Sequence, residues 1–191
     1  MKILKSEQYI NEKLNIKPVS KDRLSELCKE PEFDDKTKQF IEDNNFVWNT
    51  STRSYDCDGD VEITNDIVSD GKLKIRFGKV NGDFVCINRL TTLEGAPQEV
   101  VGDFYCINNK LTTLEGAPQK VSGDFVCSGN HLTTLEGAPQ KVGGDFICSS
   151  NNLTTLEGAP NEVGGNFYCR NNQNLVLPKN KPSWIKGKII Q

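Results

Sequence analysis

The sequence lacks several features that would point to familiar classes of function. No apolar run reaches the length of about 18 residues that a membrane span needs. Histidine occurs once, at His131, which leaves little for a histidine-based catalytic or metal site. The 23 Lys and Arg against 26 Asp and Glu give a net charge of −3, without the basic excess typical of sequence-blind nucleic-acid binders. We therefore expect no nucleic-acid partner and no membrane partner.

An export signal and paired cysteine motifs are also missing. The opening residues, Met1 to Glu7, carry charges where a secretory signal has its apolar stretch, which predicts a cytoplasmic location. The seven cysteines are an odd number and lack the C-x-x-C spacing of zinc sites. We therefore expect reduced thiols that fill a tight core, with no bound metal and no cofactor.

What the sequence has is an internal repeat of 20 or 21 residues. Leu-Thr-Thr-Leu-Glu-Gly-Ala-Pro occurs four times, and each copy is followed by a Gly-Asp-Phe or Gly-Asn-Phe motif. These motifs begin at Gly82, Gly102, Gly123, Gly144 and Gly165. A unit this short cannot bury its apolar side chains alone, so the units must stack as the coils of a solenoid.

One repeat shows which side chains point inward. Phe125 and Cys127 are two residues apart, so they share one face of a short strand, and Val126 lies on the other face. Their partners in neighbouring coils predict an interior column of phenylalanines and one of cysteines. Asparagines recur at one turn, where we expect them to bond to main-chain groups as a ladder. This ladder comprises Asn109, Asn130, Asn151 and Asn172.

The repeat resembles the leucine-rich repeat, and most nearly the 20-residue repeats of secreted bacterial effectors. Phe125, Cys127, Asn130, Leu132 and Leu135 fall on the L-x-L-x-x-N-x-L-x-x-L positions of that family. The resemblance implies a mainly β solenoid with one short parallel strand per coil. A parallel β-helix, whose coils have a similar length, is the alternative architecture.

Weaker copies of the repeat begin near Gly59 and Gly187. They predict a solenoid of about seven coils over residues 55–191, in which the first and last coils act as caps. Phe77 to Phe84, at the start of the first full repeat, together with Tyr9 to Leu14, resembles uncharacterised repeat proteins of tailed bacteriophages. That resemblance implies a phage origin, and hence the host cytoplasm as the location.

Residues 1–54 have no repeat and predict a helical N-terminal cap with a β-hairpin lead-in to the solenoid. Ser6 and Ser20 are suitable N-caps for two short helices. A third helix is expected around Lys36 to Asp43, and a strand from Phe46 to Trp48. About 50 residues form a marginal core alone, which favours a cap over a separate effector domain.

The outward positions of the predicted strands form the candidate binding surface. One column is apolar and contains two tyrosines, as expected for a protein interface, although such residues also suit any strand surface. The column of aspartates beside it is suited to a basic partner or a cation; alternatively, each aspartate bonds to turn amides. The predicted protein-binding residues are Asp83, Val85, Asp103, Tyr105, Asp124, Val126, Asp145, Ile147, Tyr168 and Arg170.

These observations predict a binding protein and no enzyme. The sequence offers no convergent set of nucleophile, base and metal ligands. The hypothesis that follows is a non-enzymatic interaction module, phage-encoded, that binds a host protein through its strand face. The alternative is a structural or assembly component, such as a virion or scaffold element.

Overall fold

The structure is a computed structural model that describes residues 29–87 and 90–191. The chain divides into two compact units, Met1–Pro31 and Glu32–Gln191. The helices predicted to begin at Ser6 and Ser20 lie outside the described residues. All helices and strands reported below belong to the second unit.

Two seven-stranded sheets form the body of this unit. Sheet A comprises β1 (Val47–Asn49), β2 (Ser54–Cys57), β6 (Phe77–Val80), β8 (Glu99–Val100), β10 (Lys120–Val121), β12 (Lys141–Val142) and β14 (Glu162–Val163), in that spatial order. Sheet B comprises β3 (Val61–Glu62), β7 (Phe84–Val85), β9 (Phe104–Tyr105), β11 (Phe125–Val126), β13 (Phe146–Ile147), β15 (Phe167–Tyr168) and β16 (Ile189–Ile190), again in spatial order. A small hairpin of β4 (Val68–Ser69) and β5 (Lys72–Leu73) follows a 3-10 helix, Asn65–Ile67.

The chain winds as a β-solenoid of about six turns, with about 21 residues per turn. Every strand pair between successive coils is parallel, as in the register of Phe125 with Phe104 and Phe146. The predicted mainly β solenoid is therefore confirmed, with the parallel strand of each coil at the Phe position. A second two-residue strand, which the sequence did not predict, precedes it and contributes to sheet A.

A stack of phenylalanine rings occupies the core because the parallel register places each ring above its equivalent. The rings of Phe104 and Phe146 each lie 5.2 Å from that of Phe125, with interplanar angles of 4° and 16°. The stack is closed by edge-on contacts from Phe77 at one end and Trp184 at the other. Such contacts add about 0.5–1.5 kcal/mol per pair to the free energy of burial.

The predicted cysteine column lies beside the phenylalanine stack. All of its thiols are free and fully buried, and burial raises their pKa values. A thiol whose pKa is raised stays protonated and is a poor nucleophile and metal ligand. These cysteines, which fill space in the core as predicted, are Cys86, Cys106, Cys127, Cys148 and Cys169.

The asparagine ladder is confirmed and joins each coil to the one before it. Asn151 Oδ1 accepts a hydrogen bond from the Leu132 N–H at 3.2 Å, and its Nδ2 donates to the carbonyls of Cys127 and Cys148 at 3.0 and 3.1 Å. Asn109, Asn130 and Asn172 accept hydrogen bonds from the equivalent N–H groups of the preceding coils, which are those of Leu90, Leu111 and Leu153. All four side chains are buried, so these bonds satisfy main-chain groups that water does not reach.

Replacing Asn151 by alanine is expected to lower the free energy of unfolding by about 2–3 kcal/mol. The change leaves the buried Leu132 N–H and two buried carbonyls without their side-chain partner. The exposed neighbour Asn152 is the matched control, because Asn152→Ala removes an amide of the same size from the surface. Chemical denaturation of the two variants measures the difference, and equal stabilities would contradict the role of the ladder.

The described part of the N-terminal region joins the solenoid directly. Helix α1 (Asp35–Asp43) is capped by Asp34, whose carboxylate accepts the Thr37 N–H, and it matches the third predicted helix. Strand β1 matches the strand predicted at Phe46 to Trp48, and its antiparallel partner β2 pairs in parallel with β6. Strand β2 includes residues 54 and 55, where the domain boundary was predicted, and it belongs both to the hairpin with β1 and to sheet A. The predicted domain division at those residues stays a prediction.

The C-terminal coil is held by charged side chains as well as by β16. Glu162 accepts hydrogen bonds from Lys186 at 2.5 Å and pairs with Lys141 at 2.9 Å. The bond from Lys186, followed by that from Lys141, lowers the pKa of Glu162 to about 2. Lys181 donates to the carbonyls of Ile185 and Gly187 at 2.5 and 3.0 Å, which gives main-chain groups near the end of the solenoid a partner.

Candidate protein-binding surface

The outward side of sheet B, which we call the strand face, brings the predicted binding residues together. Inward and outward side chains alternate along each strand, so the buried Phe and Cys positions leave the intervening residues on the surface. The acidic column is Asp83, Asp103, Asp124 and Asp145, continued by Asn166. The apolar column is Val85, Tyr105, Val126, Ile147, Tyr168 and Ile190. A third column is Ile87, Ile107, Ser128, Ser149 and Arg170.

Ile190 is a member of the apolar column that the sequence analysis missed. It pairs in register with Tyr168 in the last strand of sheet B. In the weak copy of the repeat that begins at Gly187, Ile189 falls on the Phe position, so the same alignment could have assigned the next residue to the outward column. The apolar column therefore extends over six successive coils.

The apolar column is less exposed than the sequence suggested. Val126 retains only 7% of its accessible surface, so the prediction that it is an exposed residue is wrong. It lies in register between Tyr105 and Ile147, which are both half-buried. Val126 therefore contributes little accessible surface of its own, and the half-buried residues beside it supply most of the apolar column there.

The hydroxyl groups of the two tyrosines contact side chains of the acidic column. Tyr105 Oη donates to Asp103 Oδ2 at 2.8 Å, and this bond together with partial burial raises the pKa of Tyr105 to about 12. Tyr168 Oη accepts from Asn166 Nδ2 at 3.5 Å. Three strand steps of about 4.8 Å separate the two residues, so their positions are about 14 Å apart.

The aspartates have a structural role that joins successive coils. In each coil Oδ1 accepts the N–H of the equivalent residue in the next coil: Asp124 accepts from Asp145 at 2.7 Å, and Asp103 accepts from Asp124 at 2.7 Å. Asp145 Oδ1 in turn accepts the Asn166 N–H. The aspartates thus bond to amides, as the alternative interpretation proposed, but these amides belong to the adjacent coil.

The glycine of each Gly-Asp pair makes room for this carboxylate. A Cβ atom on Gly123 would lie 2.0 Å from Asp103 Oδ1 and 2.8 Å from the Gly102 carbonyl oxygen. No side chain can occupy that space while the coils remain stacked. The Gly-Asp motif of the repeat is therefore a stacking device, with the aspartate of one coil packed against the glycine of the next.

The acidic column is not neutralised by neighbouring side chains. Within residues 29–87 and 90–191, no lysine or arginine lies within ion-pair distance of Asp83, Asp103, Asp124 or Asp145. The pKa of Asp124 is raised, chiefly by burial and further by the charges of Asp103 and Asp145, against the lowering effect of its bond to the Asp145 amide. The column is therefore a row of half-buried like charges.

Other parts of the surface are less suited to a large partner. An open cavity of about 550 Å³ lies beside Lys72, Lys74 and Arg76, but Lys72 pairs with Glu94 and Lys74 with Asp34. The part of the chain that the structure describes contains no group of three or more His, Cys, Asp or Glu side chains placed to hold a metal ion. No described helix combines the length and apolar character needed to cross a membrane.

The chain was compared with known protein families, curated proteins and solved structures. No protein-family model, curated protein or solved structure matches the chain.

Proposed function

We propose that this protein is a non-enzymatic interaction module that binds a partner protein through the strand face. The observation that supports the proposal is the apolar column, which places aliphatic residues and two tyrosines on six successive coils. Contiguous apolar surface is uncommon outside interfaces, and tyrosine is enriched among residues that dominate binding energy. The rigid stacking beneath the column means that little conformational entropy is lost on binding.

We also propose that the coils are leucine-rich repeats and that the protein is encoded by a phage. Leucine-rich repeats commonly offer their strand surface to protein partners, and this use fits the position of Tyr105 and Tyr168. The resemblance to repeat proteins of tailed phages makes a host protein in the bacterial cytoplasm the partner class to test first. An affinity capture from bacterial lysate, analysed by mass spectrometry, tests both points.

The double variant Tyr105→Arg, Tyr168→Arg is expected to lose the captured protein while keeping the wild-type circular dichroism and melting temperature. Both side chains are on the outer surface, so the substitutions introduce charge into the interface and leave the buried core unchanged. Retention of the same protein by the double variant would show that the strand face is not the binding surface.

An assembly role is the second candidate. It is favoured by β16, the last strand of sheet B, which within the described residues has a strand partner on one side only. Such an edge can accept a further strand from another chain. This role predicts self-association or co-purification with virus particles, and a protein that stays monomeric and absent from particles would count against it.

A further inference from the structure

We infer that the partner segment recognised by the strand face is a basic amphipathic α-helix, with its lysines or arginines over the acidic column and its apolar side chains against the apolar column. This inference rests on the proposed function. It names the chemistry of the partner, which the apolar column alone does not define. Four observations support it.

The first observation is that the fold does not need the negative charges. The inter-coil bond requires one side-chain oxygen that accepts a main-chain N–H. Asn166 occupies the same position in the next coil and makes the bond with an amide oxygen, which accepts the Lys188 N–H at 3.0 Å. Asparagine could therefore serve at the other positions, and the carboxylates at Asp83, Asp103, Asp124 and Asp145 are not explained by coil stacking.

The second observation is that these charges are unfavourable in the free protein. Equivalent positions in stacked strands lie about 4.8 Å apart, and like charges at that distance repel each other. The raised pKa of Asp124 reflects both its burial and its two charged neighbours. A cationic partner relieves this repulsion, so the free energy that the column costs in the free protein is recovered on binding.

The third observation is that acceptor capacity remains. Oδ1 of each aspartate is used by the next coil, and Oδ2 of Asp103 accepts from Tyr105. Among the described residues, no donor approaches the second carboxylate oxygen of Asp83, Asp124 or Asp145. These oxygens are available to lysine or arginine side chains, which form charge-assisted hydrogen bonds with carboxylates.

The fourth observation concerns spacing and favours a helix over an extended peptide. Residues three and four apart on one helix face are separated by about 4.5 and 6.0 Å along the axis, close to the strand spacing of about 4.8 Å. Alternate residues of an extended peptide are separated by about 6.6–6.8 Å, which loses register within two or three coils. A helix along the solenoid axis can therefore place successive cations over successive aspartates.

The apolar column beside the aspartates completes the match. A basic amphipathic helix has an apolar stripe next to its charged stripe. The half-buried side chains of Tyr105, Ile147 and Tyr168 in the apolar column offer that stripe a contact beside the aspartates. Because the tyrosine hydroxyl groups contact side chains of the acidic column, the rings can also contact the cations.

The experiment compares three synthetic helical peptides of about 18 residues, with the same leucine stripe and with lysine, glutamine or glutamate on the adjoining stripe. Binding to the full chain is measured by fluorescence anisotropy at low and at physiological ionic strength. The protein variants are Asp83→Asn/Asp103→Asn/Asp124→Asn/Asp145→Asn and the double variant Tyr105→Arg/Tyr168→Arg. The asparagine variant keeps the inter-coil bonds, as Asn166 does, and removes only the charge.

We expect the lysine peptide to bind the wild type at least about tenfold more tightly than the glutamine peptide, with a difference that shrinks as salt is added. The asparagine variant should lose at least about tenfold in affinity for the lysine peptide, bind the glutamine peptide as the wild type does, and melt no lower than the wild type. A lower melting temperature of the asparagine variant would show that the charges serve the fold and would overturn the inference.

The remaining outcomes separate this inference from the proposed function. Equal binding of the lysine and glutamine peptides that is lost in the tyrosine variant would overturn the basic helix and leave the strand face as the binding surface. Binding that survives in the tyrosine variant would overturn the assignment of the face itself. Failure of the lysine peptide to bind the wild type would also overturn the inference.

Discussion

Replacing Phe125 by alanine is expected to lower the free energy of unfolding by about 3–5 kcal/mol. Phe125 is fully buried in the middle of the ring stack, with Phe104 and Phe146 at 5.2 Å on either side. Because each coil contacts only its neighbours, the cavity weakens the packing between the two halves of the solenoid. The two halves should then unfold with different midpoints.

The two tryptophans of the chain report on these halves separately. Trp48 packs on Tyr55 near the first strands, and Trp184 packs on Phe167 near the last coil. Denaturant unfolding is followed by fluorescence in versions that retain one tryptophan each. Val126→Ala is the matched control, since that side chain lies on the outward face and its removal should cost clearly less. Equal losses for the two variants would contradict the importance of the ring stack.

Replacing Gly123 by alanine is expected to cost about 3 kcal/mol, because the coils must move apart to admit one methyl group. The added Cβ would lie 2.0 Å from Asp103 Oδ1 and 2.8 Å from a main-chain oxygen of the preceding coil, so a side-chain movement alone does not remove the clash. Thermal unfolding followed by circular dichroism measures the loss.

The chain contains the control for this substitution. Gly59 holds the equivalent position in the first coil, where a Cβ would meet no atom within 4 Å. Gly59→Ala should therefore change stability by no more than about 0.5 kcal/mol. Similar melting temperatures for Gly59→Ala and Gly123→Ala would show that the glycine is not required by the packing of one coil on the next.

The repeat made much of the fold predictable, since identical residues at fixed spacing must stack. The inward positions of Phe125 and Cys127 and the asparagine ladder followed from alternation and from the need to satisfy buried amides. The strands of sheet A could not be predicted in this way, because a strand of two residues, such as Lys120–Val121, is too short to show an alternating pattern. They pair as strands because neighbouring coils place Glu99 and Lys141 beside them.

The sequence predicted which residues form the candidate site, but it did not predict their burial or their hydrogen bonds. The outward residues follow from the strand period, but the depth of Val126 depends on its larger neighbours in other coils. The bond from the Asp145 amide to Asp124 also joins two coils, and one repeat considered alone does not reveal it. Only the structure shows that Asp124 and Asn166 make the same bond, in which a side-chain oxygen accepts a main-chain N–H of the next coil. The bond therefore does not require the negative charge of Asp124.

The most direct test of the strand face as the binding surface is a quantitative capture from bacterial lysate with three proteins. They are the wild type, Tyr105→Arg/Tyr168→Arg, and Thr112→Arg/Thr133→Arg, which adds the same charge to exposed positions of the arc outside both sheets. We predict that one partner is retained by the wild type and the threonine variant and is lost by the tyrosine variant. A partner retained equally by all three, or lost from both variants, would contradict the assignment of binding to the strand face.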